Sequence, residues 1–378
     1  MKILFNATTN HTGGPVQTAV NFIRQNQLFP CPNIDWFYAI SSKIKQELFS
    51  IDINIPNLYV FPFSPAKNWS ARNSLINLAQ KIRPDVIFTM SGPAYVEFNQ
   101  PHVLGCSNPF VTHPNEYALE SLGGVLQKSI FRANISYKRF WFKKADYWVF
   151  QTSVSRDGFI SKIKTPIERT IVVPNALSDL YQIDSSEEEL NAKSLDSVCT
   201  RILVPSAYYK HKNLEIIPYV ADELRRDPKC KNTFFKFILT IPDSKFKTLK
   251  NSAISLNVVE NIENRGVFSI VDGPSLYQSC NLMFLPTLLE TFSASYLESM
   301  GMSIPIVTSD LDFARGICGE AAVYFSPKST KEAAEAISTL IRSRELRNKL
   351  ITLGKTQLKK YPTIADRHRI LIDFLRNL

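Results

Sequence analysis

The chain has 378 residues, 44% of them hydrophobic and 21% charged, with a formal net charge of +10 at neutral pH. That length exceeds one ordinary core and predicts two domains, while the composition excludes fibrous and intrinsically disordered classes. No stretch approaches the roughly 18 apolar residues of a membrane span, and Met1-Lys-Ile-Leu-Phe-Asn6 lacks the length and cleavage site of a signal peptide, so a cytoplasmic chain is expected. Six dispersed cysteines, with no CxxC pair, predict neither disulfides nor a structural metal.

Short apolar runs alternate with longer helical patterns, which predicts parallel sheets built from βαβ units. In the first half the strand candidates are Lys2–Phe5, Trp36–Ile40, Leu58–Phe61, Val86–Phe88, Val103–Gly105 and Tyr147–Phe150. Directly after the first of them, Gly13 and Gly14 open an amphipathic helix, where glycine lets the backbone approach a bound diphosphate or acceptor. After the fifth strand, one predicted loop holds Ser107, Asn108 and His113.

From Lys128 to Lys144 come six basic residues and five aromatics with no acid. At about 100° per residue, Lys128, Arg132, Arg139 and Lys143 fall within about 60° of one another. Phe131, Ile135 and Phe142 border that stripe, and Ile130, Ala133, Tyr137, Phe140 and Trp141 take the opposite face. One apolar face is expected on the sheet, and the other, beside the cations, fits an anionic membrane interface. Residues 1–180 carry 18 Lys and Arg against 11 Asp and Glu, which concentrates the positive charge on this half.

Val172-Val-Pro-Asn-Ala176 ends the first half, and a polar acidic segment from Asp184 follows it. The second strand series is expected at Arg201–Val204, Phe235–Leu239, Val258-Val259, Leu282–Leu285 and Ile304–Val307. Lys210, Lys212 and Asn213 follow its first strand, and Asn264-Arg265-Gly266 follows Val258-Val259. Pro286 ends the strand Leu282–Leu285, and Thr291, Ser293 and Ser295 open a helix stopping at Gly301. Glu290 then lies in the loop before this helix, with Glu298 two turns inside it. A helix N-terminus at the carboxyl end of a parallel strand suits a phosphate, and flanking carboxylates accept hydrogen bonds from sugar hydroxyls.

Glu290, Phe292, Glu298, Met300, Pro305, Ile306 and Val307 together resemble the donor signature of the retaining glycosyltransferases of family four. The resemblance implies an α/β GT-B fold, two Rossmann-like doubly wound parallel-sheet domains facing each other across a cleft. It places an acceptor-binding domain at 1–182, a linker at 183–200, a nucleotide-sugar-binding domain at 201–358, and a C-terminal helix at 359–378 expected to return to the first domain. It implies retaining transfer of a sugar from a nucleoside diphosphate sugar to a glycan acceptor, and the basic, aromatic segment Lys128–Lys144 makes the expected acceptor a lipid-linked glycan, as in bacterial surface polysaccharide assembly, met on the inner face of the cytoplasmic membrane. No metal or other cofactor is implied.

Residue by residue, it assigns Lys212 and Lys210 to the leaving diphosphate, Glu290 to the transferred sugar and Glu298 to the ribose. Gly13, Gly14, Arg265, Gly266, Thr291, Phe292, Ser293 and Ala294 complete the implied donor site, and Asn108 and His113 stand on the acceptor side. Departures from the family pattern are Ser293 for a glycine, Ala176 for the glycine of a Pro-Asn-Gly element, Ser206-Ala207 where a Gly-Arg pair is usual, and Ser107 for a histidine. A sugar-nucleotide epimerase or phosphorylase would share the fold, but neither an epimerase pattern nor a pyridoxal phosphate lysine site is found. A non-enzymatic membrane-surface or nucleic-acid binder would account for the charge, although no nucleic-acid motif occurs.

Overall fold

The computed structural model describes residues 1–11, 14–50, 53, 55–181, 199–231, 233–269 and 271–378. The chain forms two compact units. The first comprises Met1–His113, Val125–Pro174 and Thr363–Leu378, and the second Pro114–Gly124 and Asn175–Pro362.

The first unit holds a seven-stranded sheet. Its strands are β1 (Lys2–Ala7), β2 (Asp35–Ser41), β3 (Leu58–Phe61), β4 (Val86–Thr89), β5 (His102–Gly105), β6 (Tyr147–Phe150) and β7 (Thr170–Val172), in the order β3-β2-β1-β4-β5-β6-β7. All pairings are parallel, with Phe5 opposite Tyr38 on one side and Phe88 on the other. Both faces are covered, so the strands read as continuous apolar runs rather than alternating ones. Ile3 and Phe5 of β1 face Phe22 and Ile23 of the helix Gly14–Leu28, while Leu4 faces Leu75 and Leu78 of the helix Trp69–Ile82. The last helix, Ile364–Arg376, packs Leu371, Ile372 and Leu375 into the core of this unit. Its Arg367 Nε donates to the Pro174 carbonyl at 3.1 Å.

The second unit holds six parallel strands, β8 (Thr200–Val204), β9 (Phe235–Leu239), β10 (Ile262–Asn264), β11 (Leu282–Leu285), β12 (Ile306–Ser309) and β13 (Ala322–Phe325), in the order β10-β9-β8-β11-β12-β13. In β8, Ile202 and Val204 face the helices Ile217–Arg226 and Thr330–Arg342, and Leu203 faces the helix Ala294–Gly301. This is the period-two alternation of a sheet buried on both sides. The strand order reverses between β8 and β11, the topological switch point outside which ligands of open α/β sheets collect.

Several boundaries differ from the sequence expectation. Val258-Val259 is not a strand: Val258 is buried, Val259–Asn261 is a 3-10 turn, and pairing with β9 begins at Ile262. Of the expected linker 183–200, only Cys199 and Thr200 lie within the described residues, and Thr200 opens β8. Before it, Leu177 and Tyr181 already pack in the core of the second unit. The helix after Pro286 starts at Ala294, so Glu298 stands just over one turn inside it, not two.

Candidate functional site

The loops that leave β8 and β11 at the switch point carry the residues with the clearest chemistry. Pro205 follows β8, and a 3-10 turn at Lys210–Lys212 ends at Asn213, whose φ of 54° and ψ of 35° are left-handed. Asparagine is among the few side chains that tolerate that conformation. The His211 carbonyl accepts the Leu288 N–H at 2.7 Å and the Thr287 hydroxyl at 3.3 Å, which joins this turn to the loop after β11. The Lys212 ammonium thereby reaches the Glu290 carboxylate in an ion pair, each side chain only 14% exposed. Burial outweighs the neighbouring carboxylate and pulls the Lys212 amine down to about 8. Burial, then the Lys212 charge, pulls the His211 imidazole down to about 4, so it is neutral at physiological pH, stacked on Tyr209 at 5.7 Å.

Glu298 occupies a different environment. Its Oε2 accepts the Tyr277 hydroxyl at 2.6 Å. Burial raises its carboxyl above the ordinary range, and the Tyr277 hydrogen bond opposes that rise. Tyr277, from the helix Gly273–Gln278, is fully buried, with its ring edge-on to Tyr181 at 5.5 Å. Two glycines admit Tyr181: a methyl on Gly273 would overlap its hydroxyl, and one on Gly301 its carbonyl. Tyr277 is not among the residues that the sequence pattern singles out. A tyrosine buried in a short Gly-Pro-initiated helix was the available signal, because a buried phenol usually has a polar partner.

The helix Ala294–Gly301 begins at Ser293, which makes no side-chain capping hydrogen bond, so the cap does not consume the first-turn N–H groups. Ser295 Oγ donates to the Pro205 carbonyl at 3.3 Å and ties this helix start to the loop after β8. Thr291 is buried, and Phe292 turns its ring into the core against Tyr361 at 5.7 Å. Phe292 and Thr291 therefore shape the loop from within.

Other sequence candidates take structural partners. Lys210 pairs at 3.1 Å with Glu215, which also accepts the Tyr208 hydroxyl, so this cation is engaged away from the Lys212–Glu290 pair. Arg265 pairs with Glu263 at 2.5 Å, and Gly266 has a φ of +72° with open space around it, so its glycine is required by backbone conformation rather than by room. Gly13 lies outside the described residues, and Gly14 opens its helix with nothing within 4 Å of an added methyl.

In the first unit, Asn108 caps the short helix Pro109–Thr112 through the Phe110 N–H at 3.1 Å, and His113 Nδ1 meets the Thr112 hydroxyl at 2.7 Å. On the helix Val125–Phe142, Arg132 is exposed and Lys128 half-buried, and Lys143, exposed, follows the helix end. Arg139 departs from the expected stripe, because its guanidinium donates to the Val111 and Phe110 carbonyls at 3.1 and 3.3 Å. Phe131, Ile135 and Phe142 form the inner face. Tyr137 and Trp141 gather around Arg72, which leaves Ile130 and Phe140 exposed. Among the described residues no helix is long and apolar enough to cross a membrane, and no group of three or more His, Cys, Asp or Glu could hold a metal.

Comparison with known proteins agrees with this geometry. Residues 186–357 match the family model of glycosyl transferases group 1. Among solved structures, Anabaena Alr3699/HepE in complex with UDP and glucose is similar over 100% of both chains, with a TM-score of 0.72 at 16% identity. A glycosyltransferase from Rickettsia africae ESF-5 gives 0.73 at 14% over 100% of this chain and 98% of that one. WaaG, a glycosyltransferase involved in lipopolysaccharide biosynthesis, gives 0.70 at 14% over 99% of each. A comparison with curated proteins by sequence returns no match. The resemblance carried by Glu290 to Val307 is thus borne out to this extent: residues 186–357 match a group 1 glycosyl transferase domain, consistent with the family-four type, and the chain shares the two-domain GT-B fold of these solved structures.

Proposed function

We propose that the chain moves a sugar, with retention of anomeric configuration and without a metal, from a nucleoside diphosphate sugar to a glycan acceptor. The observation that carries this reading is the placement of Lys212, Glu290 and Glu298 around one helix start at the β8/β11 switch point. The N-terminal end of a helix and an ammonium together favour the growing negative charge of a departing diphosphate, usually the largest contribution to such catalysis. Glu290, which presents an acceptor oxygen beside that cation, suits hydroxyls of the transferred sugar, and Glu298, held by the Tyr277 hydroxyl, suits the ribose. Anabaena Alr3699/HepE is in complex with UDP and glucose in one solved structure and with UDP-glucose in another, which supports a nucleotide-sugar donor.

The acceptor in this reading is a lipid-linked glycan in bacterial surface polysaccharide assembly, reached by peripheral docking on an anionic leaflet. Exposed Val125, Leu126, Ile130 and Phe140 beside Lys128, Arg132 and Lys143 support the docking. Incubation with UDP-, GDP- or ADP-sugars without acceptor, followed by NMR, tests the chemistry. Slow release of sugar with its anomeric configuration retained is expected, whereas interconversion to an epimer overturns the reading. Sedimentation with anionic liposomes at low salt is expected, and its absence makes a soluble acceptor the better assignment.

A further inference from the structure

The segment Pro114–Gly124 comes from the first half of the sequence but folds with the second unit. Its ends are legible: Pro114 begins it, and Gly123, with a φ of 112°, closes it beside Gly124. Between them Asn115 caps the helix Glu116–Glu120, its Oδ1 accepting the Ala118 N–H at 2.9 Å. Ala118 is fully buried, and Glu120 pairs with Lys328 at 2.7 Å on the outer side.

The other end of the Asn115 amide reaches the candidate site. Its Nδ2 donates to the Leu288 carbonyl at 2.7 Å, while the Leu288 N–H donates to the His211 carbonyl, also at 2.7 Å. A single buried residue is thus gripped through both of its backbone polar groups. On one side of the grip the chain passes from His211 straight to Lys212, and on the other it runs two residues to Glu290. We infer that Asn115 is a positioning residue for the Lys212–Glu290 pair, acting through the Leu288 peptide. The inference rests on the reading of that pair as part of the donor site. Displacing a reacting group by about 1 Å can cost on the order of 100-fold in rate, so a single amide that fixes this loop has leverage on turnover well beyond its own contribution to folding.

Asn115→Asp separates the two jobs of the side chain. The aspartate still caps the helix, because it keeps an acceptor for the Ala118 N–H, but it loses the donor and sets a carboxylate oxygen against the Leu288 carbonyl. With whichever of UDP-, GDP- or ADP-glucose the wild type turns over, kcat should fall on the order of 10- to 100-fold, while affinity for the matching nucleoside diphosphate and the thermal midpoint stay near wild type. Wild-type turnover in the variant overturns the inference. So does a parallel fall of kcat, nucleotide affinity and thermal midpoint, which would mark Asn115 as a folding residue only. A second readout does not need turnover: NMR titration of the lysine side chains, with Lys212 identified by its loss in Lys212→Ala. Withdrawal of Glu290 should lower the Lys212 titration in Asn115→Asp, because a buried ammonium without its carboxylate is disfavoured. An unchanged titration overturns the inference. If the wild type turns over none of the three sugars, the donor-site reading is what fails, and the titration still decides the role of Asn115.

Discussion

Tyr277→Phe removes one hydroxyl and leaves the packing of its ring on Tyr181 in place. The hydroxyl donates to Glu298 at 2.6 Å in a buried setting, and a hydrogen bond to a charged group there is worth about 1.5–3 kcal/mol. Losing it should raise the Glu298 carboxyl further above an already raised value. The sign follows from the chemistry of the ligand. Ribose hydroxyls donate to the carboxylate and not to the carboxylic acid, so nucleotide affinity is present above the Glu298 pKa and lost as pH falls through it. Calorimetric titration with the nucleoside diphosphate across the acid to mildly alkaline range should therefore show the loss of affinity in Tyr277→Phe displaced to higher pH than in the wild type. Coincident profiles for the two proteins would refute the coupling. The same raised carboxyl makes folding stability higher near the ordinary glutamate pKa and lower as pH rises above it, because the folded state then binds more protons than the unfolded one.

Lys212→Ala should lower turnover by about two to three orders of magnitude, with a smaller effect on donor affinity, since the charge it meets grows toward the transition state. For the wild type, kcat/KM should fall as pH rises through about 8, where the free enzyme loses this cation, and a rate profile flat to pH 9 would contradict that. Lys210→Ala should change activity by about 1 kcal/mol or less, because its partner is Glu215 on an exposed surface; a loss comparable to that of Lys212→Ala would return it to the diphosphate. Gly301→Ala should destabilise the fold by about 1–3 kcal/mol in thermal or urea denaturation, because the new methyl overlaps the Tyr181 carbonyl and the Leu177 side chain.

The strands were legible where apolar runs are unbroken, at the edge of a sheet as in β3 as well as within it. Leu58–Phe61, Tyr147–Phe150, Phe235–Leu239 and Leu282–Leu285 begin and end where the sequence pattern put them. The edge strand β10 was not, because Ile262-Glu-Asn is short and polar while the neighbouring Val258-Val259 is more apolar. Burial of Val258 comes from packing under a turn, which periodicity does not distinguish from a strand. Terminal β13 is not among the expected strands, although Ala322-Val-Tyr-Phe is apolar throughout and both of its ends are buried.

At the site, the glutamate pair and Lys212 were visible as residue types in order along the chain, and the structure joins Lys212 to Glu290 across 78 positions. What the sequence could not display is which charges find other partners. Glu215 lies five residues from Lys210 and Glu263 two from Arg265, spacings that turns bring together but no regular helix pattern advertises. Arg139 stood correctly on its helix, yet it faces carbonyls of a neighbouring segment and not solvent. Pro114–Gly124 is the largest omission, since a five-residue helix has no periodicity of its own and its partners lie more than 170 positions away.

The central claim, that the second unit binds a nucleoside diphosphate sugar between Glu290, Glu298 and Lys212, is tested most directly by thermal shift of the wild type and Glu298→Ala against UDP-, GDP- and ADP-sugars. A ligand at 100 times its Kd stabilises the native state by about 2.7 kcal/mol, so at least one of them should raise the wild-type midpoint and leave that of Glu298→Ala nearly unmoved. A wild type indifferent to all of them, or a variant that responds in full, would contradict the account.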